Sequence, residues 1–176
     1  MPLYHPNLTE IRWAVGSGII TACQGGTTAF CPDSGLLRSE AAAGVIRLKY
    51  GESFSYTTTQ YFTDVPPTHP AFKYIMRLWD DKITTGCADQ LFCPDGNALR
   101  GQIAVFIVRA KYGDNFTYGS TPYFTDVPDT HPYFKYVQKM YEDGNTDGCP
   151  QPGTFCVDDP CTRAQFAVFL YRAKPL

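Results

Sequence analysis

Cysteine and histidine are the side chains here best suited to chemistry, and their spacing decides which chemistry is open to them. The chain carries seven cysteines and three histidines. Each histidine precedes a proline, at His5, His69 and His131, and a cysteine follows eighteen residues later each time, at Cys23, Cys87 and Cys149. A second cysteine comes after a short gap, at Cys31, Cys93 and Cys156. Zinc ligands sit at shorter, finger-like separations, so a histidine eighteen residues upstream does not match a metal site. No metal or cofactor is expected. A nucleophile needs its base once, whereas these histidines recur at one position of a repeat and form no recognisable nucleophile–base pattern. No catalytic residue and no enzyme activity are expected. The pairs Cys23/Cys31, Cys87/Cys93 and Cys149/Cys156 instead bracket short loops and read as disulfides, with metal binding and free thiols as the alternatives. Loops of this size contribute about 2–3 kcal/mol by restricting the unfolded chain, and disulfides imply an oxidising, extracellular compartment. Cys161 is odd. It is a free thiol, an intermolecular partner or a rival to Cys149 for Cys156, and the register favours leaving it unpaired.

Arginine is the other chemically telling residue. Arg38, Arg100 and Arg163 each lie seven residues beyond the second cysteine. The histidines are 64 and 62 residues apart, and "YFTDVPPTHPAFKY" (61–74) returns almost unchanged as "YFTDVPDTHPYFKY" (123–136). Such register means three tandem modules, at 1–51, 52–113 and 114–176. The first begins at "YHPN" without a counterpart of the YFTDV arm.

Two helices must position these groups in each module. Thr68 and Thr130 are candidate N-caps for the first, with a proline in its opening turn. Phe72, Ile75, Met76 and Trp79 recur at helical spacing. Phe134, Val137, Met140 and Tyr141 repeat the pattern, as do Leu8, Ile11 and Val15. The helix is expected to end near Gly86 or Gly148, with Ala22 at the matching place. A second helix opens at the arginine, and Ile103, Phe106, Ile107 and Ala110 form its buried stripe. Thr162 and Gln165 have capping-box spacing, whereas Leu37 and Leu99 stand where that threonine would be. The Tyr-, Thr- and Ser-rich linkers suggest a short extended segment at "YFTDV". One such module buries too little surface to be stable alone, so three must share a core. The expected fold is mainly α: three helix-loop-helix modules in a compact pseudo-threefold trefoil.

Net charge is −2 with 44% hydrophobic residues. Scattered lysines and arginines argue against nucleic acid, which requires a basic stripe. No apolar run approaches the roughly 20 residues of a membrane helix, and the N-terminus lacks a signal-peptide core.

Phe62-Thr-Asp64-Val65, Ile83-Thr-Thr-Gly86, Phe92-Cys-Pro94-Asp95 and Leu99-Arg100-Gly-Gln102 together resemble a surface-layer homology module. Phe124-Thr-Asp126-Val127, Gly148, Phe155 and Thr162-Arg163-Ala-Gln165 repeat the match, and Phe30, Pro32-Asp33 and Arg38-Ser-Glu40 keep part of it. The resemblance implies a bacterial cell-surface protein that holds an anionic envelope polysaccharide in grooves between the prongs of the trefoil. By position it nominates Arg38, Arg100, Arg163, Asp64, Asp126, Gly86 and Gly148 as glycan-binding. The chain departs from the family at His-Pro, where a tryptophan is usual. It also departs at Gln102 and Gln165, where a glutamate is usual, and at its loop cysteines.

Structural uses compete with each nomination. An arginine opening a helix can pair with Asp33, Asp95 or Asp158, and an aspartate in a turn commonly caps backbone amides. Phe54, Tyr56, Tyr61, Phe116, Tyr118 and Tyr123 can stack on sugars or pack module seams. Asn7 ("NLT") and Asn115 ("NFT") fit the N-glycosylation acceptor pattern. The rival function is a structural subunit that binds copies of itself in an extracellular fibre or layer, with the odd cysteine or the missing first arm as its linkage.

Overall fold

The computed structural model describes residues 5–23 and 29–176. The absence of an arm before the first repeat concerns residues 1–4, which lie outside the described residues. Among those described there are six helices and no strand: α1 Leu8–Gly16, α2 Arg38–Tyr50, α3 Phe72–Asp80, α4 Arg100–Tyr112, α5 Phe134–Glu142 and α6 Arg163–Ala173. The chain is mainly helical, two helices to a repeat.

The sequence repeat is not the packing unit. α3 packs on α2, α5 on α4, and α1 on α6, while α2, α4 and α6 meet one another at the centre. Among the described residues, the backbones of the two helices of one repeat come nowhere within 8 Å of each other, Cα to Cα. Each outer helix therefore leans on the central helix of the preceding repeat, and α1 closes the ring on α6. The central helices bury far more than a stripe. α4 buries the expected Ile103, Phe106, Ile107 and Ala110 but also Gly101, Ala104, Val105 and Val108, as an all-round apolar helix must. The outer helices keep one face: α3 buries Phe72, Ile75, Met76 and Leu78. Trp79 is only half-buried, and Val15 and Tyr141, expected in the stripe, are exposed.

Three local expectations give way to something else. Thr68 and Thr130 are not caps; α3 and α5 have Ala71 and Tyr133 at the N-cap, without side-chain bonds. The histidines serve instead. His5, His69 and His131 each accept through Nδ1 the backbone N–H two residues on, at 3.1 Å. These imidazoles satisfy amides that a helix start leaves open, which accounts for their recurrence. The outer helices also stop before Gly86 and Gly148. The chain turns instead at Gly18, Lys82 and Gly144, with φ of 71°, 59° and 70°. Finally, YFTDV is a turn rather than an extended segment, with Val65 N–H donating to Phe62 O at 3.1 Å.

The axis is a closed triangle of backbone. Leu36 N–H donates to Cys161 O at 2.9 Å, Cys161 N–H to Ala98 O at 2.8 Å, and Ala98 N–H to Leu36 O at 2.8 Å. Cys161 is fully buried there, and burial pushes its thiol up to about 12. A group so placed cannot cross-link chains without opening the core. The other six cysteines form the disulfides Cys23–Cys31, Cys87–Cys93 and Cys149–Cys156.

Candidate functional site

The repeated arginines reach across module boundaries. Arg38 Nε donates to Phe92 O at 2.9 Å, Arg100 Nε to Phe155 O at 2.8 Å, and Arg163 Nε to Phe30 O at 2.8 Å. Each guanidinium lies over the ring of the same phenylalanine, 4.8–5.0 Å from its centroid, a cation–π contact made stronger by desolvation. All three side chains are buried. Burial pushes the pKa of Arg38 and of Arg100 below its ordinary value, against the opposing pull of Tyr133 and Asp64 on Arg38 and of Cys161, Asp159 and Asp126 on Arg100. The expected pairing with Asp33, Asp95 or Asp158 does not occur. Loop carbonyls of the next module take that place, and Glu40 alone supplies a carboxylate, to Arg163.

The helix starts are occupied as well. Arg38 and Ser39 N–H donate to Gly96 O and Pro94 O, Arg100 and Gly101 N–H to Asp159 O and Val157 O, and Arg163 and Ala164 N–H to Ser34 O and Pro32 O. An anion held by a helix start needs free amides, and the first two of each start are already taken. The residue two beyond each arginine completes the start. Glu40, Gln102 and Gln165 accept from the N–H of Leu37, Leu99 and Thr162 at 3.0–3.2 Å. Only Thr162 returns a bond, from Gln165 N–H at 3.2 Å. Leucine has no acceptor, so the first two modules carry half a capping box.

The loops of the second and third modules are each fixed from three sides. Asp64 accepts from Phe92 and Cys93 N–H at 2.9 and 2.6 Å, and Asp126 from Phe155 and Val157 N–H at 2.8 and 3.2 Å. Gly86 and Gly148 have φ of +96° and +104°, and a Cβ there would lie 2.4–2.5 Å from Leu91 O or Thr154 O, so only glycine fits. The disulfides tie the two loop strands together, directly after Gly86 or Gly148 on one side and after Phe92 or Phe155 on the other.

Three grooves result, related by the threefold register. The first, about 340 Å³, lies over α2 and the start of α3 and includes Thr21, Glu40, Arg47, His69, Tyr74 and Arg163. The second, about 210 Å³, lies over α4 and the start of α5 and includes Arg38, Gly86, Gln102, Arg109, Tyr133 and Tyr136. The third, about 320 Å³, lies over α6 beside Asn7 and includes Arg100, Asp147, Gly148, Gln165, Phe169 and Arg172. Of the nominated residues, Arg38, Arg100, Arg163, Gly86 and Gly148 line grooves. Asp64 and Asp126 do not; they hold the loops from behind.

A second arginine in every groove was missed. Arg47, Arg109 and Arg172 stand nine residues after Arg38, Arg100 and Arg163, a spacing the repeat register already carried. They are partly exposed and tethered to Glu52, Asp114 and Asp147 at 2.6–3.0 Å. The linker aromatics pack seams: Phe54 meets Tyr50 and Tyr74, Phe116 meets Tyr112 and Tyr136, and Tyr61 stacks on Trp79 at 3.7 Å. Asn115 is exposed in its linker, whereas Asn7 stands at the N-cap of α1.

Among the described residues no helix is long and apolar enough to cross a membrane. The chain is 31% identical over 113 residues to an endoglucanase of Bacillus sp. (strain KSM-635), a match covering 64% of this chain and 11% of that protein. The chain thus spans about a tenth of that relative's length. The profile of the S-layer homology domain matches residues 61–104 and 123–167, which together make up half the chain. Such domains associate with the cell surface through the cell wall. With that match, the chain belongs to the S-layer homology domain family.

Proposed function

We propose that this chain is a non-catalytic anchor that holds an anionic polysaccharide of the bacterial envelope in its inter-module grooves. The observation that carries the reading is the threefold repetition of one arrangement. A buried arginine floors each groove, a second, more exposed arginine stands at its rim, and aromatic rings line its wall. Guanidinium groups suit acidic sugars, and stiff aromatic walls suit sugar rings. In this reading Asp64, Asp126, Gly86, Gly148 and the disulfides shape the loops, while arginines 38, 47, 100, 109, 163 and 172 supply the charge.

Co-sedimentation with purified cell walls tests it. The protein should sediment with intact walls and stay in solution once wall polysaccharide has been extracted. Arg47→Ala, Arg109→Ala and Arg172→Ala, at partly exposed positions, should together weaken sedimentation about tenfold or more without unfolding the protein. Equal sedimentation with extracted walls would overturn the reading. The rival, a self-assembling subunit, loses one linkage because Cys161 is buried. Ordered polymers of the purified protein in electron micrographs, formed without glycan, would restore it.

A further inference from the structure

Asn115 and Asn7 each open an acceptor triplet, Asn115-Phe-Thr117 and Asn7-Leu-Thr9, and the fold presents the two in opposite ways. Asn115 and Thr117 are exposed on either side of half-buried Phe116, in a stretch that forms no helix, strand or turn. That alternation belongs to an extended chain, in which residues two apart share a face. Neither side chain has a partner among the described residues, and the main chain of 115–118 makes no hydrogen bond to them. An amide and a hydroxyl thus stand on one face with no bond to break before an enzyme can grip them.

The residues on both sides are pinned. Asp114 accepts from Tyr136 Oη at 2.5 Å and from Arg109 Nε at 3.0 Å. The Phe116 ring packs against Tyr112, Tyr118 and Tyr136. The triplet is therefore offered at one fixed place on the surface. Asn7 is placed otherwise. Its N–H donates to His5 Nδ1 at 3.1 Å, its carbonyl accepts from Ile11 N–H at 3.0 Å, and Leu8 and Thr9 lie in the first turn of α1. Residues two apart on a helix do not face each other, so gripping this amide and hydroxyl together means unwinding the turn.

We propose that Asn115 is a glycosylation site carrying an N-linked oligosaccharide, and that Asn7 stays unmodified in the folded chain. The three disulfides set the chain in an oxidising compartment, and the donor is an oligosaccharide linked to a lipid diphosphate. In the transfer, Asn115 Nδ2 attacks the anomeric carbon of the first sugar and forms the C–N bond. The bond from that carbon to the diphosphate oxygen breaks, the lipid diphosphate leaves with its electron pair, and one amide proton passes to a base of the transferase. Thr117 supplies the hydroxyl that the acceptor pattern requires. The attached chain rises beside Asp114, which tethers the rim residue Arg109, so the second groove alone gains a covalent neighbour. The proposal does not depend on what the grooves hold.

The second linker supplies a gain-of-site test. Ser53 matches Asn115, with Glu52 held by Arg47 and Tyr74 on one side and Phe54 packed on Tyr50 and Tyr74 on the other. Ser53→Asn writes an Asn-Phe-Ser triplet into the same frame. Protein is purified from its own cells, and its peptides are read by mass spectrometry with fragmentation that locates any sugar. The wild type should carry sugar at Asn115 and none at Asn7. Asn115→Gln and Thr117→Ala should each abolish the modification, Thr117→Ser should retain it, and Ser53→Asn should add a second modified site. Circular dichroism should show all four variants folded, since the replaced side chains have no partner to lose. An unmodified Asn115, sugar at Asn7, sugar on the Thr117 hydroxyl instead, modification that survives Thr117→Ala, or a bare residue in Ser53→Asn would each overturn the assignment.

Discussion

The first and second grooves share a plan, and they differ chiefly in one functional group. Over α2, Glu40 sits against Arg163; over α4, Gln102 sits against Arg38 at the same helical position. Both side chains accept the N–H of a leucine cap, so both do the same structural work at the helix start. They diverge only in what they offer the arginine and the groove. A carboxylate closes the ion pair with one oxygen and accepts the Leu37 N–H with the other. An amide offers the cation a neutral acceptor and puts both bonds on its one oxygen. The comparison teaches that one groove closes its arginine with an ion pair, whereas the other holds its arginine through neutral acceptors alone.

The largest expected effect comes from removing the two arginines in turn. Arg163→Ala strips partners from Phe30 O and Thr21 O and leaves Glu40 as an unpaired carboxylate, at a cost of about 3–5 kcal/mol. Arg38→Ala removes bonds to Phe92 O and Gln102 but strands no charge, at a cost of about 1–3 kcal/mol. Urea unfolding of both variants gives the difference directly. Equal losses would show that Glu40 does not distinguish the grooves. Glu40→Gln runs the comparison the other way. It should cost about 1–2 kcal/mol in the same assay, because the charged acceptor of Arg163 becomes a neutral one.

How far this was legible in the sequence depends on whether a feature is local or relational. The helices, their order and the three repeats follow from periodicity and register, because apolar spacing and recurring His-Pro and cysteine pairs are properties of neighbouring residues. Which helix packs on which was not legible. α3 rests on α2 of the preceding repeat, and a repeat boundary drawn from sequence suggests the opposite. The same blindness misplaced the arginines. Arg100 was weighed against Asp95, close in sequence, whereas its partners Phe155 O and Gly148 O belong to the next module. Thr68 looked like the cap because threonine usually is one, and the imidazole of His69 did the work instead. The rim arginines were visible at spacing nine, but their purpose emerges only once the ring places them beside Tyr74 and Tyr136.

Two substitutions test whether the modules remain equivalent away from the grooves. Asn145 stands where the other modules have Ile19 and Ile83, is 1% exposed, and neither its oxygen nor its nitrogen has a partner. Asn145→Ile should raise stability by about 1–3 kcal/mol by removing two unsatisfied groups, measured by urea unfolding. No gain would mean that the threefold equivalence fails in the core as well. Lys82 takes a left-handed conformation, φ 59°, where its counterparts are Gly18 and Gly144. Lys82→Gly should gain about 1 kcal/mol, since only glycine adopts that region without cost, seen as a higher melting temperature.

The smallest effect separates the flanks of the first two grooves. Glu52 is drawn to about 2, from an ordinary 4.5, first by its bond from Lys73 and then by Tyr74 and Arg47. Burial acts to raise Asp114, but Tyr136, Arg109 and Lys135 outweigh it and hold the group at about 2, from an ordinary 3.8. Both folded-state values lie below the unfolded ones, so the stability these carboxylates contribute is fully present above the unfolded pKa. It is lost as pH falls through each folded value. The loss therefore spans about pH 4.5 to 2 for Glu52 and about pH 3.8 to 2 for Asp114. Their side chains are 56% and 53% exposed, and solvent screening holds each contribution to roughly 1 kcal/mol or less. Melting temperature followed from pH 6 to pH 2 should fall over that range, with a shallower fall in Glu52→Gln and in Asp114→Asn. The Glu52 variant should show its divergence from wild type at the higher pH of the two, because its unfolded carboxylate protonates first. If the two variants diverge at the same pH, the two carboxylates are held alike, and the flanks of the grooves are as equivalent as their frames.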